Sequence, residues 1–250
     1  MFMRLLQVKV KFEELQTIGR FYEERTVTAL RSADGCRYAC LMQSVHHPDD
    51  VISMTLWDSE KDAGAYERSG LFKQLLEDAR PYFAESTEWK LQLSKDFTLE
   101  YTPEITEPTI KQFAVAATST ETIPAEQKPL RTFLRIVSLH LQPGKFEEFN
   151  ALYQNEILPA LNATRGCRYA CLSTPSGETN EAISVTLWNS PADAEAYERD
   201  GQFQRLLREV KHTLSDLSLS KLAAERNGLH NVTSDDIAVE GFNLLAGKSF

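Results

Sequence analysis

Gly35-Cys36-Arg37-Tyr38-Ala39-Cys40-Leu41 recurs unchanged as Gly166-Cys167-Arg168-Tyr169-Ala170-Cys171-Leu172, 131 residues downstream. The offset holds without a gap from about residue 4 to about residue 95. Between 35 and 76, 23 of 42 positions match their partners, whereas between 4 and 34 only Arg4, Tyr22, Ala29 and Leu30 do. A repeat this long exceeds a solenoid unit, so each copy has to be a folded domain. The chain divides into a first repeat (1–95), an arm and linker (96–130), a second repeat (131–225) and a C-terminal arm (226–250). Two copies in one chain can build internally what a single-copy protein builds by dimerising.

The second copy shows the pattern of elements most cleanly. Residues 131–141 alternate apolar and polar positions, as a half-buried strand does. Gln142-Pro143-Gly144 is a turn. Residues 145–164 carry Phe146, Phe149, Leu152, Tyr153, Ile157, Ala160 and Leu161 at helical spacing, with a kink expected near Pro159 and a stop at Gly166. Strands follow at 167–174 and 181–188 around a polar loop. A second helix is capped by Ser190, opened by Pro191 and broken or bent at Gly201. A fourth strand is read at 216–222. In the first copy the strands fall at about 3–10, 36–45, 51–57 and 87–93, and the helices at 13–32 and 59–83.

The order β-α-β-β-α-β is the ferredoxin-like arrangement, an α+β sheet with both helices on one face. The other face, carrying residues such as Val8, Val10, Tyr38, Cys40, Met54 and Leu56, also needs cover. The duplicate sheet supplies it. Two such repeats facing across a pseudo-two-fold axis predict a dimeric α+β barrel within one chain. The arms are too apolar to be plain linkers, with Ile110, Phe113 and Val115 in one and Ile237, Val239, Phe242 and Leu244 in the other. Each is predicted to form one short strand packed across the partner repeat, with a homodimer through the arms as a further option.

Net charge is −9, with 42 % hydrophobic and 25 % charged residues. No basic stripe invites nucleic acid, and an acidic chain is repelled by anionic membranes. Neither a secretory leader nor a membrane-length apolar run is seen, so the prediction is a soluble cytoplasmic protein acting on a small molecule. Cysteines four apart on one strand lie ~13 Å apart on one face, too far for a disulfide and unlike a zinc site. They read as reduced core residues, and no metal site is predicted.

Beyond the heptapeptide, Trp57-Asp58-Ser59 with Asp62, Ala63, Ala65, Tyr66 and Phe72 repeats as Trp188-Asn189-Ser190 with Asp193, Ala194, Ala196, Tyr197 and Phe203. This pattern, with the preceding Gly-Cys and the Ile157-Leu158-Pro159-Ala160 helix end, resembles the antibiotic biosynthesis monooxygenase superfamily. The resemblance implies a dimeric α+β barrel whose pocket lies between the sheet and the helices. It also implies cofactor-independent oxygenation of a small aromatic, quinol or polyketide-type substrate. The alternatives on the same fold are a non-catalytic small-molecule-binding or stress-associated module, or an isomerase. Haem degradation is disfavoured: the Asn, Trp and His of that branch fall on Leu6/Val137, Tyr66/Tyr197 and Leu76/Leu207, leaving no axial histidine.

Oxygenation of this type draws its electrons from a deprotonated phenol or quinol. It needs an apolar, water-poor pocket and a hydrogen-bonding group at the phenolic oxygen. The candidates are Tyr66, Tyr197, Trp57 and Trp188 for chemistry and pocket walls. Tyr22, Tyr153, Arg68, Arg199 and His140 are the candidates for substrate contacts. No cofactor is required. His46-His47-Pro48-Asp49-Asp50 has the composition of a metal cluster, but the second copy lacks it, so a solvated hairpin loop is the reading preferred. The first strand and first helix have diverged most, which predicts two pockets of different size or polarity.

Overall fold

The computed structural model describes residues 1–93, 99–105, 108–119, 132–175, 180–215 and 239–250. The first repeat contributes strands β1 (Phe2–Lys9), β2 (Cys36–Ser44) and β3 (Asp50–Trp57). They are followed by β4 (Glu85–Leu93), β5 (Leu99–Ile105) and β6 (Thr109–Thr118). The second repeat contributes β7 (Phe133–His140), β8 (Cys167–Pro175) and β9 (Glu181–Trp188), and its arm forms β10 (Val239–Ser249).

Eight of these strands close into an antiparallel barrel in the order β1-β3-β2-β10-β7-β9-β8-β6. Within each repeat the three core strands pair in the ferredoxin-like order, β1-β3-β2 and β7-β9-β8, leaving four edges between them. The two arm strands take all four. β6 pairs with β1 and β8, and β10 pairs with β2 and β7, so every edge finds backbone partners.

This corrects the expected fourth strand. Residues 87–93 do form part of a strand, β4, but it pairs with β5 in a separate two-stranded sheet. The position beside β1 belongs to the arm. A strand that can reach both repeats satisfies two edges at once, which a strand confined to one repeat cannot. The strand expected at 216–222 lies outside the described residues.

Met3, Leu5, Tyr38, Cys40, Met42, Met54 and Leu56 fill the barrel interior against Leu134, Ile136, Tyr169, Cys171, Val185 and Leu187. Phe242 and Leu244 of β10 join them. Val8 and Val10, expected on this face, instead point outward to the helices. Alternation along β1 settles this, because Met3 and Leu5 face in while Phe2 and Val8 face out.

The repeated heptapeptide holds a second correction. The register slips between Cys36 and Tyr38, and likewise between Cys167 and Tyr169. A bulge there adds a residue to one strand. Cys36 therefore packs on the helix side and Cys40 inside the barrel, rather than on one face. Gly35 precedes the bulge at φ 76°, and a Cβ there would sit 2.7 Å from Asp62 Cγ. Asp62 is itself fixed by the helix cap, accepting from the Ser59 hydroxyl at 2.5 Å and donating its N–H back to Ser59 Oγ at 3.2 Å.

The first helix of each repeat is interrupted by a π turn. In the first, α1 (Leu15–Phe21) runs through Tyr22–Thr26 into α2 (Val27–Arg31). In the second, α5 (Phe146–Leu152) runs through Tyr153–Ile157 into α6 (Leu158–Ala163). Pro159 stands just after the second π turn, but the first copy has the same turn with Thr28 at that place, so proline is not its cause. The second helical segment of each repeat breaks at a left-handed glycine, as the sequence predicts at Gly201. Gly70 separates α3 (Glu60–Arg68) from α4 (Leu71–Ala79), and Gly201 separates α7 (Pro191–Arg199) from α8 (Gln202–Val210). Among the described residues no helix is long and apolar enough to cross a membrane.

Candidate functional site

Each repeat leaves a cavity between the outer face of its first and third strands and its helices. In the first repeat the floor is Arg4 and Leu6 of β1 beside Thr55 and Ser53 of β3, which are direct cross-strand partners. The roof is Ile18, Tyr22, Thr26 and Leu30 from the π-interrupted helix, with Tyr66, Phe72, Leu75 and Ala79 from α3 and α4. The cavity volume is about 90 Å³. The second cavity, of about 50 Å³, is lined at the corresponding positions by Arg135, Val137, Ser184, Thr186, Tyr153, Tyr197 and Phe203, among others.

The expected inequality of the two pockets thus has named causes. Ile18, Thr26 and Ala79 of the first cavity are replaced by Phe149, Ile157 and Val210 in the second. Phe149 is fully buried and presents to the second cavity a larger side chain than Ile18 presents to the first. Thr26 to Ile157 also removes a hydroxyl, so the smaller cavity is the more apolar one.

Four sequence candidates line these cavities: Tyr66 and Tyr22 in the first, Tyr197 and Tyr153 in the second. The π turn brings Tyr22 over β3, where its hydroxyl and Ser53 Oγ are 2.9 Å apart. Tyr153 does the same with Ser184 at 2.8 Å and donates to the Cys171 carbonyl at 3.2 Å. Tyr66 is different. Its hydroxyl makes no hydrogen bond to a described residue, and its ring is held between Trp57 at 5.2 Å and Phe72 at 6.0 Å. Burial pushes its pKa well above the ordinary phenol value, with Arg4 pulling weakly the other way. Tyr66 therefore stays protonated near neutral pH and can donate a hydrogen bond but cannot serve as a base.

Trp57 and Trp188 are fully buried and do not line either cavity. Each indole N–H donates to the threonine two residues earlier, Thr55 at 2.9 Å and Thr186 at 2.8 Å. Their rings back the tyrosines from behind. Arg68 and Arg199 are exposed on the outer side of α3 and α7, away from the cavities. His140 lies near the end of β7 in an ion pair with Glu181 at 3.0 Å, where the first repeat pairs Lys9 with Asp50. His46 and His47 are exposed in the β2–β3 loop. Among the described residues no group of three or more His, Cys, Asp or Glu is arranged to hold a metal ion.

The residue that the sequence reading passed over is Arg4, with its counterpart Arg135. Both are buried, at 5 % and 4 % exposure, and both reach into their cavities. The guanidinium of Arg4 lies 4.6 Å from the Phe72 ring centroid, and that of Arg135 lies 4.5 Å from Phe203. Burial lowers the pKa of Arg4, while Glu67 and Tyr66 act against it. An arginine nonetheless stays charged. The signal was present: Arg4 is one of only four matches in the diverged stretch, and it sits on a strand face otherwise occupied by Phe2, Leu6 and Val8.

The polar equipment of the first cavity is thus a cation (Arg4), two neutral phenols (Tyr22, Tyr66) and three hydroxyls (Thr26, Ser53, Thr55) in an otherwise apolar wall. No carboxylate, imidazole or thiol is among its lining residues.

The family model for antibiotic biosynthesis monooxygenase matches the chain twice, at residues 1–78 and 132–209, which is more than half its length. The chain belongs to this family. It is a tandem member, with both copies in one barrel. A search of curated proteins returned no match. Among solved structures, a candidate monooxygenase from Lactobacillus acidophilus NCFM superposes with a TM-score of 0.68 at 7 % identity, covering 99 % of this chain and 95 % of that one. One from Fusobacterium nucleatum gives 0.70 at 8 % identity, covering 99 % and 94 %. An anthrone oxidase-like protein gives 0.53 at 17 % identity, covering 99 % and 92 %. At these identities the likeness is one of fold. Leu6, Tyr66 and Leu76 all line the first cavity.

Proposed function

We propose that this protein is a cofactor-independent monooxygenase acting on a small aromatic, quinol or polyketide-type substrate in the first-repeat cavity. The observation that carries the reading is a largely apolar chamber that holds a buried arginine and a tyrosine hydroxyl with no hydrogen bond to a described residue. The family match supports the reaction type. An apolar chamber suits both dioxygen and an aromatic ring, and it limits the water that would otherwise intercept a reactive oxygen species.

The chemistry balances without an added reductant. A substrate with an ionisable phenol or enol loses its proton to solvent, and the anion places electron density on the carbon para to a phenolate oxygen or on the carbon adjacent to the C–O carbon of an enolate. One electron passes from that anion to O₂, and the resulting superoxide and substrate radical combine to form a carbon–peroxide bond. The peroxide takes a proton. Loss of water then leaves a new carbonyl on the carbon that carried hydrogen. One oxygen atom ends in product and the other in water, with all four electrons coming from substrate. Tyr66 would donate its hydrogen bond to the developing oxygen anion, and Trp57 would keep the Tyr66 ring in place. An isomerase would need a side-chain base to shuttle a proton, and the lining residues offer none.

Oxygen uptake by metal- and flavin-free protein, measured against a panel of quinols and anthrones, tests the proposal. Uptake with at least one substrate, reduced roughly a hundredfold in Tyr66→Phe, is the expected result. Saturable binding with no uptake from any substrate would favour the non-catalytic binding module instead.

A further inference from the structure

The two buried arginines are alike in position and unlike in compensation. In the second repeat, Arg135 Nε donates to Glu198 Oε1 at 2.8 Å, leaving only Nη2 buried without a partner. In the first repeat, the equivalent carboxylate, Glu67, stands 3.8 Å from Arg4 Nη2, beyond hydrogen-bond length. Both Nε and Nη2 of Arg4 are buried with no hydrogen-bond partner. A buried guanidinium with unmade hydrogen bonds is destabilising unless something supplies an acceptor. The Phe72 ring beneath it offsets part of that cost but accepts no conventional hydrogen bond. The under-compensated cation belongs to the repeat with the larger cavity.

We infer that Arg4 is an anion anchor, and that the first cavity binds an aromatic substrate in its ionised form, as a phenolate or enolate whose oxygen is received by the Arg4 guanidinium. This rests on the reading of that cavity as the working site, and it deepens it by naming the charge state of the ligand. It also answers how a cavity without a base can serve anion chemistry. The ligand's own proton is lost to solvent, and the fixed positive charge favours the ionised form. The other titratable groups lining the cavity are Tyr22 and Tyr66, both neutral, so neither competes for the cation. Glu67 is half in solvent and can swing away when an anion enters. The second cavity is the poorer candidate for this role because Arg135 Nε is already paired with Glu198 and the cavity is smaller.

The test uses 4-nitrophenol, whose phenolate is yellow, whose phenol is not, and which ionises near neutral pH. The full chain is titrated with it across pH, and the absorbance of bound probe is compared with free. The expected result is a bound probe that ionises at lower pH, by about one unit, a tenfold shift of the phenolate to phenol ratio. Arg4→Met should abolish the shift and Arg4→Lys should keep part of it, whereas Arg37→Gln, which removes an exposed arginine paired with Asp58, should leave it intact. Absence of binding, a bound probe with an unchanged or raised pKa, or a shift lost in Arg135→Met rather than Arg4→Met would each overturn the inference. Because the wild-type shift and the lysine variant are read independently, a methionine variant that fails to fold does not remove the test. The probe need not be turned over, so a lowered pKa without oxygen uptake would sink the oxygenase reading and leave the anchor standing.

Discussion

At the scale of single residues, the two kinds of cavity tyrosine should behave differently when the hydroxyl is removed. Tyr22 and Tyr153 bond to Ser53 and Ser184, so Tyr22→Phe or Tyr153→Phe should destabilise the protein by about 1 kcal/mol in urea unfolding. Tyr66 has no such bond, so Tyr66→Phe should leave the unfolding midpoint close to wild type while it lowers oxygen uptake. A large stability loss in Tyr66→Phe would mean that the hydroxyl is structural. The cysteines give a pH signature. Burial pushes Cys40 up to about 12 and Cys171 up to about 11, whereas an unfolded thiol ionises near 8.5. The unfolded chain therefore binds fewer protons than the native one above about pH 8.5, and stability falls as pH rises from there toward 11. Below that pH both states keep the proton and these thiols contribute no slope. Urea midpoints between pH 7 and 10 would check this, and a flat profile would contradict it. The candidate site was half legible at this scale. The repeated tyrosines stood out because their neighbourhood survived in both copies. Arg4 was visible as an isolated match, but nothing local in a sequence tells a buried cation from an exposed one.

At the scale of elements, the inequality of the cavities should be transferable. Phe149→Ile with Val210→Ala installs the first repeat's residues in the second cavity. Binding of an aromatic ligand should then rise from one site per chain toward two, read by calorimetric stoichiometry, at a stability cost of about 2–4 kcal/mol from lost packing. A stoichiometry unchanged in a folded variant would show that these side chains are not what closes the second cavity. Strand and helix positions were legible because periodicity reports which face is buried, and Gly201 marked the helix break in the second repeat. The π turns at Tyr22 and Tyr153 were not, since apolar spacing across one inserted residue still looks helical. The bulge after Cys36 was hidden for the same reason, and it moved one cysteine of the pair to the other face.

At the scale of the whole molecule, the duplication made a closed barrel readable, because each sheet needed a second one to cover it. What the sequence pattern could not decide was which segments close it. Residues 87–93 and the arm strand both alternate, and only the need to pair with both repeats selects the arm. The same logic makes β10 the bridge between β2 and β7. A chain ending before Val239 should therefore lose cooperative unfolding, seen as a broad, shallow urea transition, whereas a transition in the truncated chain as sharp as that of wild type would show that β10 is dispensable. β6 and β10 are each hydrogen-bonded along both edges, so neither leaves an edge open for a further strand. One barrel carries two unequal cavities, and the proposed function puts the chemistry in the first. The most direct measurement is oxygen uptake by Tyr66→Phe and Tyr197→Phe side by side, on whichever quinol or anthrone the wild-type protein consumes. A large loss in Tyr66→Phe and near wild-type uptake in Tyr197→Phe are expected. Equal losses, or a loss confined to Tyr197→Phe, would contradict that placement.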